Sequence, residues 1–354
     1  MLATLPRPRY DASDRFAAGA ATIAVVVPCY RVGERIAAVV ARIGPEIDLI
    51  YVVDDACPEH SGEHLLRHCA DPRVQVLVHE TNQGVGGAVI TGYRQALADG
   101  AEIVVKLDGD GQMDPALIGR FVAPILERRA DYTKGNRFYN LEDSRGMPKG
   151  RLLGNLVLSF LTKLSSGYWT VFDPTNGFTA IHAALLAELP LDKIRRRYFF
   201  ESDMLFRIGT VRGQVVDVPM TAVYGDAPSS LRICRVLPTF LALNLANTVK
   251  RVLYRYFLRD FSIASLELLF GLALLLFGVT FGTREWAISA ASGVTASTGT
   301  VMLAALPVIL GVQLLLSFLA FDVAATPNRA IHPLLGLPRT VAMPGPVRPH
   351  VGRG

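Results

Sequence analysis

At 354 residues, 51% of them hydrophobic, and with a mean hydropathy of +0.32, the chain has room for a large domain plus an appended region and is too apolar for a wholly soluble protein. Its net charge of +5 is modest, and no Lys/Arg run interleaved with aromatics is present, which counts against a nucleic-acid partner while leaving a basic face toward an anionic membrane open. The four cysteines, Cys29, Cys57, Cys69 and Cys234, form neither a CxxC pair nor a zinc spacing and read as reduced cytosolic thiols.

Residues 1–20 mix Pro, Arg and Asp without a hydrophobic core, so they read as a flexible arm rather than a signal peptide. The apolar run Ala17–Val27 is too short to span a bilayer and reads as a buried strand stopped by Pro28. From there, short β-branched runs alternate with helical spacings. Strands are expected at Thr22–Val27, Leu49–Val53, Val74–Val78 and Ile103–Leu107. Helices are expected at Glu34–Ile43, near Gly62–Cys69, and from the Gly-rich loop to about Ala98. Such alternation predicts an α/β domain over about 21–228, with a mostly parallel sheet covered by helices. Asp114-Pro115 has the form of an N-cap with proline at the first helical position, opening a helix to about Arg129.

Candidate ligands sit where the strands end: Pro28-Cys29-Tyr30, then Asp54-Asp55, then Asp108-Gly109-Asp110. In a parallel sheet these ends share one edge, where ligands of open α/β sheets bind. If Asp108 and Asp110 stay extended, both carboxylates emerge on one face and offer hard oxygen donors suited to Mg²⁺ or Mn²⁺ on a diphosphate; the alternative is a plain turn. The loop Asn82–Gly87 has Gly84 and Gly86 correctly spaced for a dinucleotide fingerprint. Val89 stands at the third position, however, so a tight turn into a packed helix is the better reading.

Residues 131–226 are rich in charged and turn residues among aromatics: Lys134-Gly-Asn-Arg137, Met147–Arg151, Asp173–Phe178 and Tyr198–Arg207. That composition suits a polar cleft. Residues 229–260 read as a basic amphipathic segment at a membrane surface. Residues 261–322 hold two spans, about 262–281 and 299–321, each near ~30 Å at ~1.5 Å per residue. Arg251, Arg255 and Arg259 before the first span, and Arg329 and Arg339 after the second, place the N-terminal domain and the tail in the cytosol. Residues 323–354, rich in Pro and Gly, read as a disordered tail.

Taken together, Val27-Pro-Cys-Tyr30, Val53–Gly62, Asn82–Gly87, Asp108-Gly-Asp110 with Gln112, Gly135-Asn-Arg137 and Asp173–Phe178 resemble, in order and spacing, the inverting family-2 glycosyltransferases. The branch is that of dolichol-phosphate-mannose synthase, of the bacterial type with two C-terminal membrane helices. The resemblance implies a GT-A fold, the Rossmann-like sheet of nucleotide-diphospho-sugar transferases, moving a sugar from a nucleotide sugar to a polyprenyl phosphate. UDP-linked donors are favoured over GDP-linked ones, and the chain is compatible with a homo-oligomer. It further implies that Pro28, Tyr30, Glu34, Asp54 and Asp55 contact the donor nucleotide, with Asp108, Asp110 and Gln112 at the metal. Arg137, Arg151 and Arg232 become the candidates for the acceptor phosphate, and Asp173 with Asp203 or Glu201 for the sugar or the order of the cleft.

This chain departs from the family pattern in two places. Its first loop is two residues longer than the common form, which leaves the place of Glu34 open. In Phe200-Glu-Ser-Asp-Met-Leu the acid before Met-Leu is Asp203, with Glu201 as competitor. A processive polysaccharide synthase would show a Gln-x-x-Arg-Trp segment and more spans, and a pyrophosphorylase a glycine-rich first loop with Arg and Lys; this chain has neither. A membrane-anchored sugar-nucleotide scaffold is the non-enzymatic alternative, and the intact acidic pair counts against it.

Overall fold

A computed structural model describes residues 3–4, 21–139, 149–221 and 233–336. Its centre is an eight-stranded sheet in the order β1-β4-β3-β2-β5-β7-β6-β8. The strands are β1 (Ala3–Thr4), β2 (Ile23–Cys29), β3 (Leu49–Asp54), β4 (Val74–Val78), β5 (Ile103–Lys106), β6 (Tyr132–Asn136), β7 (Thr179–His182) and β8 (Val215–Pro219). Strands β4, β3, β2 and β5 are mutually parallel, as the strand–helix alternation predicts. Antiparallel β7 separates them from the parallel pair β6 and β8. The arm read as flexible contributes the two residues of β1, paired antiparallel with Val78 and Leu77.

The period-2 alternation of the strands divides the core between two faces. Val25 and Val27 point to one, with Ile50, Val52 and Phe178, under α1 (Arg35–Ala41), α2 (Ser61–His68) and α4 (Ile118–Leu126). Ala24 and Val26 point to the other, with Tyr51, Val53 and Val104, under α3 (Val85–Ala98), α6 (Ala183–Glu188) and α7 (Phe200–Val211). Asp114 caps its helix as expected, its side chain accepting from the Ala116 N–H.

The segment expected to lie amphipathically on a membrane becomes α8 (Ile233–Leu253), which packs on α5 (Lys149–Ser166) and ends in a π turn at Tyr254–Arg259. Its polar side is the one turned inward. Asn244 accepts from Ser165 on α5 (2.6 Å), and Asn247 donates to Asp203 on α7 (3.0 Å). Leu241, Leu245, Val249 and Leu253, spaced by four, form an exposed apolar stripe.

Two long helices follow, α9 (Ile263–Ser292) and α10 (Thr298–Ala324), with mean hydropathies of 2.1 and 2.3. Both are long and apolar enough to cross a membrane, and both outrun the expected boundaries. They pack closely through small residues: a methyl on Gly271 would crowd Leu315 and the Gly311 carbonyl, and one on Gly278 would crowd Val308. Glu267, the single charge in the first expected span, accepts from Ser317 across the pair (2.8 Å).

The hairpin is joined to the domain by ions. Asp322, at the end of α10 and 1% exposed, accepts both arms of Arg251 (2.7 and 2.9 Å), the Tyr256 hydroxyl (2.6 Å) and the Trp169 indole N–H (2.9 Å). Arg255 donates to the Ala325 carbonyl (2.8 Å). Two of the arginines counted as free flanking charge are therefore spent inside a buried cluster. The tail also differs from expectation over residues 325–336. Fully buried Asp131 accepts from the N–H groups of Ile331 and His332 and lies 2.8 Å from His332 Nδ1, while His332 stacks on His182 and opens the short helix α11 (His332–Leu335). Pro and Gly content signals weak local structure but cannot foresee a buried carboxylate that holds the segment from outside it.

Two stability outcomes follow. Breaking a buried ion pair from one side leaves an uncompensated charge, so Asp322→Ala should destabilise the detergent-solubilised protein by about 3–5 kcal/mol, and Arg251→Met with Asp322→Leu should recover most of that loss; thermal unfolding measures both. In β8, burial raises the Asp217 carboxyl from 3.8 to about 6. The folded chain therefore holds a proton that the unfolded chain releases first, and stability falls as pH rises through that window. Asp217→Asn should raise the melting temperature relative to wild type more at pH 7.5 than at pH 4.5.

Candidate active site

The C-terminal ends of β2, β3 and β5 share one edge, with Cys29 opposite Asp54 and Val26 opposite Lys106. The strand-end loops hold three non-glycine residues in the left-handed region, Arg31 (φ 56°), Ala56 (φ 52°) and His60 (φ 49°). Strand β5 stops at Lys106, and Asp108–Asp110 turn away rather than staying extended, with Gly111 at φ +80°. Beneath that turn lies a residue the sequence reading passed over. The Lys106 ammonium, 1% exposed, donates to Asp108 (2.8 Å), to the Gly177 carbonyl (3.1 Å) and to Glu201 (3.3 Å). Burial alone would lower its pKa, but Asp108 and Glu201 outweigh burial and hold it above the usual lysine value. A methyl at Gly177 would overlap both Asp108 Oδ2 and Lys106 Nζ, which is why the 173–178 segment needs glycine there.

A second buried lysine lies across β7. Lys106 and Lys134 both pair in register with Thr179, so the two share a sheet face. Lys134 donates to the Asn176 carbonyl, and burial pulls its pKa down to about 8 against the opposing pull of Glu201 and Asp173. A lysine inside an apolar β-branched run was the available signal for Lys106, since a buried ammonium demands polar partners to offset its lost hydration.

The acids divide by what they touch. Asp54 and Asp55, 4% and 2% exposed, were expected at the nucleotide, yet their carboxylates hold the loops. Asp54 accepts from the N–H groups of Cys57 (2.7 Å) and Gly62 (2.8 Å). Asp55 accepts from those of Gln83 and Gly84 (both 2.8 Å) and lies 2.7 Å from His79 Nδ1. The Gly-rich loop thus spends two of its amides on Asp55, and its glycines allow close packing on residues 195–200: a methyl on Gly84 would meet the Arg196 carbonyl, and one on Gly86 would meet Phe200. This is the packed turn favoured over a dinucleotide fingerprint. Between the two competing acids of α7, Glu201 faces Lys106, whereas Asp203 accepts from the Arg195 N–H and from Asn247 and so anchors α8.

Arg137, partly exposed, is held by Asp173 through Nε (2.7 Å) and Nη2 (3.0 Å). Asp173 is 1% exposed, so it orients the guanidinium from below instead of lining the cleft. Tyr30 and Glu34 are exposed, the former beside the Arg31 guanidinium, and Pro28 is buried within β2. Gln112 is exposed, and its backbone N–H donates to Asp110. Of Arg151 only the backbone place, in the first turn of α5, is described, and Arg232 lies outside the described residues.

Asp108 and Asp110 fit a divalent ion. Each gives one oxygen to a described partner, Lys106 for Asp108 and the Gln112 N–H for Asp110, and the second oxygen of each accepts no hydrogen bond among the described residues. Burial, together with repulsion from Asp108, raises the pKa of Asp110, a penalty that a cation would remove. Among the described residues no group of three or more His, Cys, Asp or Glu could hold a metal unaided, so the remaining ligands would have to be water and substrate phosphate, the usual habit of Mg²⁺.

Comparison with known proteins accords with this site. Residues 24–189 match the model for glycosyl transferase family 2. The chain is 30% identical over 218 residues to UDP-N-acetylglucosamine–dolichyl-phosphate N-acetylglucosaminyltransferase of Methanococcus voltae, covering 58% of this chain and 86% of that one. It is 32% identical over 206 residues to undecaprenyl-phosphate mannosyltransferase of Micrococcus luteus, covering 57% and 83%. In fold it is similar to glucosyl-3-phosphoglycerate synthase of Mycobacterium tuberculosis, solved with Mn²⁺, UDP and phosphoglyceric acid, at a TM-score of 0.50 and 21% identity over 70% of this chain and 84% of that one. With its mostly parallel GT-A sheet and a matching stretch that takes in every described residue of the acidic edge except Glu201, the chain belongs to glycosyltransferase family 2.

Proposed function

We propose that this protein transfers a sugar from a nucleotide sugar, UDP-linked by preference, to a polyprenyl phosphate at the cytosolic face of a bacterial-type inner membrane, with inversion at the sugar carbon. The observation that carries the reading is the Asp108/Asp110 pair above Lys106 in a chain whose catalytic domain is ion-locked to two apolar helices. The relatives named for polyprenyl-type acceptors support the acceptor class, and the UDP in the structural neighbour supports the donor.

Asp108 and Asp110 would hold Mg²⁺ or Mn²⁺, which when bound offsets the charge developing on the departing nucleoside diphosphate. Lys106 holds Asp108 in place by a direct ion pair, and Glu201 completes the neutralisation of that lysine. Tyr30 and Glu34, exposed after β2, are placed to meet the nucleotide, while Asp54 and Asp55 act one step back by fixing the loops. A phosphate monoester has its second pKa near ~6, so the acceptor is mostly dianionic at neutral pH and needs no base to remove a proton. It needs a cation that aligns it for in-line attack, and Arg137, oriented by Asp173, is placed to supply one. Arg151 and Arg232 stay candidates for the same phosphate.

The membrane placement rests on the hairpin. Residues 331–332 return to Asp131 in the catalytic domain, which puts the segment after α10 on the same side as the segment before α9. The exposed apolar stripe of α8 and the exposed Leu156, Val157 and Phe160 of α5 suit immersion at the bilayer surface.

Purified protein given a short-chain prenyl phosphate and a panel of sugar nucleotides, with and without Mn²⁺, should release nucleoside diphosphate only with a prenyl phosphate present. Asp110→Asn should lower that rate by roughly 10²–10³-fold with no loss of melting temperature, because it removes a half-buried charge that Asp108 repels. Full activity in this variant would sink the metal assignment, and no transfer with any donor would favour the scaffold reading. Gly177→Ala, by displacing the Lys106–Asp108 pair, should cost roughly 10²-fold in kcat.

A further inference from the structure

The junction between the catalytic domain and the first apolar helix contains a cleft that the transfer reaction leaves unused. Small and open to solvent, it lies between the C-terminal end of α7, at Thr210 and Arg212, and the π turn before α9, at Tyr254, Arg255 and Arg259, with Arg251 also lining it. Glu201 of the candidate active site lies in the first turn of α7, so at ~1.5 Å per residue the cleft is displaced by most of the helix length.

The charges around it do not balance. Four guanidinium groups line the cleft and two carboxylates lie near them. Asp322 is committed to Arg251 at 2.7 Å and stands 3.6 Å from Arg255. Asp260, 53% exposed, is 3.9 Å from Arg212 and 4.0 Å from Arg259, contacts too long and too wet to neutralise either. Burial lowers the Arg255 pKa against the pull of Tyr256 and Asp322, and Arg212 and Arg251 repel it, so the cations here are crowded around one buried carboxylate. The exposed apolar side chains Leu258, Phe261 and Ile263 lie beside or just beyond the π turn, so a bilayer that takes them up sets the cleft among its headgroups.

We propose that this arginine-lined cleft binds the phosphate of an anionic phospholipid headgroup, at a place separate from the donor and acceptor phosphates. The site depends on the membrane placement proposed above but not on the transfer reaction, and its test needs no substrate. Free inorganic phosphate presents the same chemistry and serves as the second probe.

The full chain in a neutral detergent should gain roughly 2–4 °C in melting temperature with phosphatidylglycerol and little with phosphatidylcholine, and native mass spectrometry should show retained phosphatidylglycerol. Arg212→Gln with Arg259→Gln, both 40% exposed and therefore tolerant of change, should lose most of that gain, while the surface variant Arg129→Gln keeps it. A shift of equal size and equal sensitivity to the double variant with millimolar inorganic phosphate would assign the site to free phosphate in place of lipid. Equal shifts with the two lipids, or a phosphatidylglycerol shift untouched by the double variant, would overturn the proposal.

Discussion

A buried ammonium group needs partners that offset its lost hydration, and Lys106 draws them from three separate parts of the chain. Asp108 comes from the turn after its own strand, the Gly177 carbonyl from the segment entering β7, and Glu201 from the first turn of α7. Movement of either carboxylate would leave the ammonium short of a partner, so the acidic edge is held together by the contacts of one buried lysine. Gly177 follows from this constraint, because the carbonyl reaches the ammonium only if nothing projects from the α-carbon.

A second buried charge performs the corresponding task where the two apolar helices meet the domain. Asp322 draws Arg251, Tyr256 and Trp169 onto the end of α10, and Asp131 draws the following segment onto the catalytic domain. The two apolar helices are thereby set at a fixed place on the domain instead of hanging from a linker. For an acceptor whose tail stays in the bilayer and whose phosphate must reach a fixed sugar carbon, that rigidity has a direct use: orientation gained in the ground state is not lost again on the way to the transition state. The outward apolar stripe of α8 belongs to the same arrangement, since its polar side is occupied in binding α5 and α7.

Local pattern was enough for the parallel half of the sheet, the Asp114 cap, the two long apolar helices and the acidic pair, because each is written in side-chain period, helix-end chemistry or hydropathy over a few consecutive residues. It was not enough for the division of labour among the acids. Asp54 and Asp55 look like Asp108 and Asp110 in sequence, all four lying at strand ends, yet the first two are turned onto backbone amides of Cys57, Gly62, Gln83 and Gly84. The choice between Glu201 and Asp203 was likewise open until helix α7 placed one beside Lys106 and the other beside Asn247.

By itself the sequence determined the fold class, the family and the presence of two apolar helices, because periodicity, ordered short motifs and hydropathy are properties of neighbouring residues. Tertiary structure decided which carboxylates accept from backbone amides and which keep an oxygen free of described partners, that Lys106 is buried against Asp108 and Glu201, that Arg137 is held by Asp173, and that the hairpin and the residues after it are docked. Each of these depends on which partner a buried charge finds across tens to hundreds of residues, and chain spacing carries no record of that pairing.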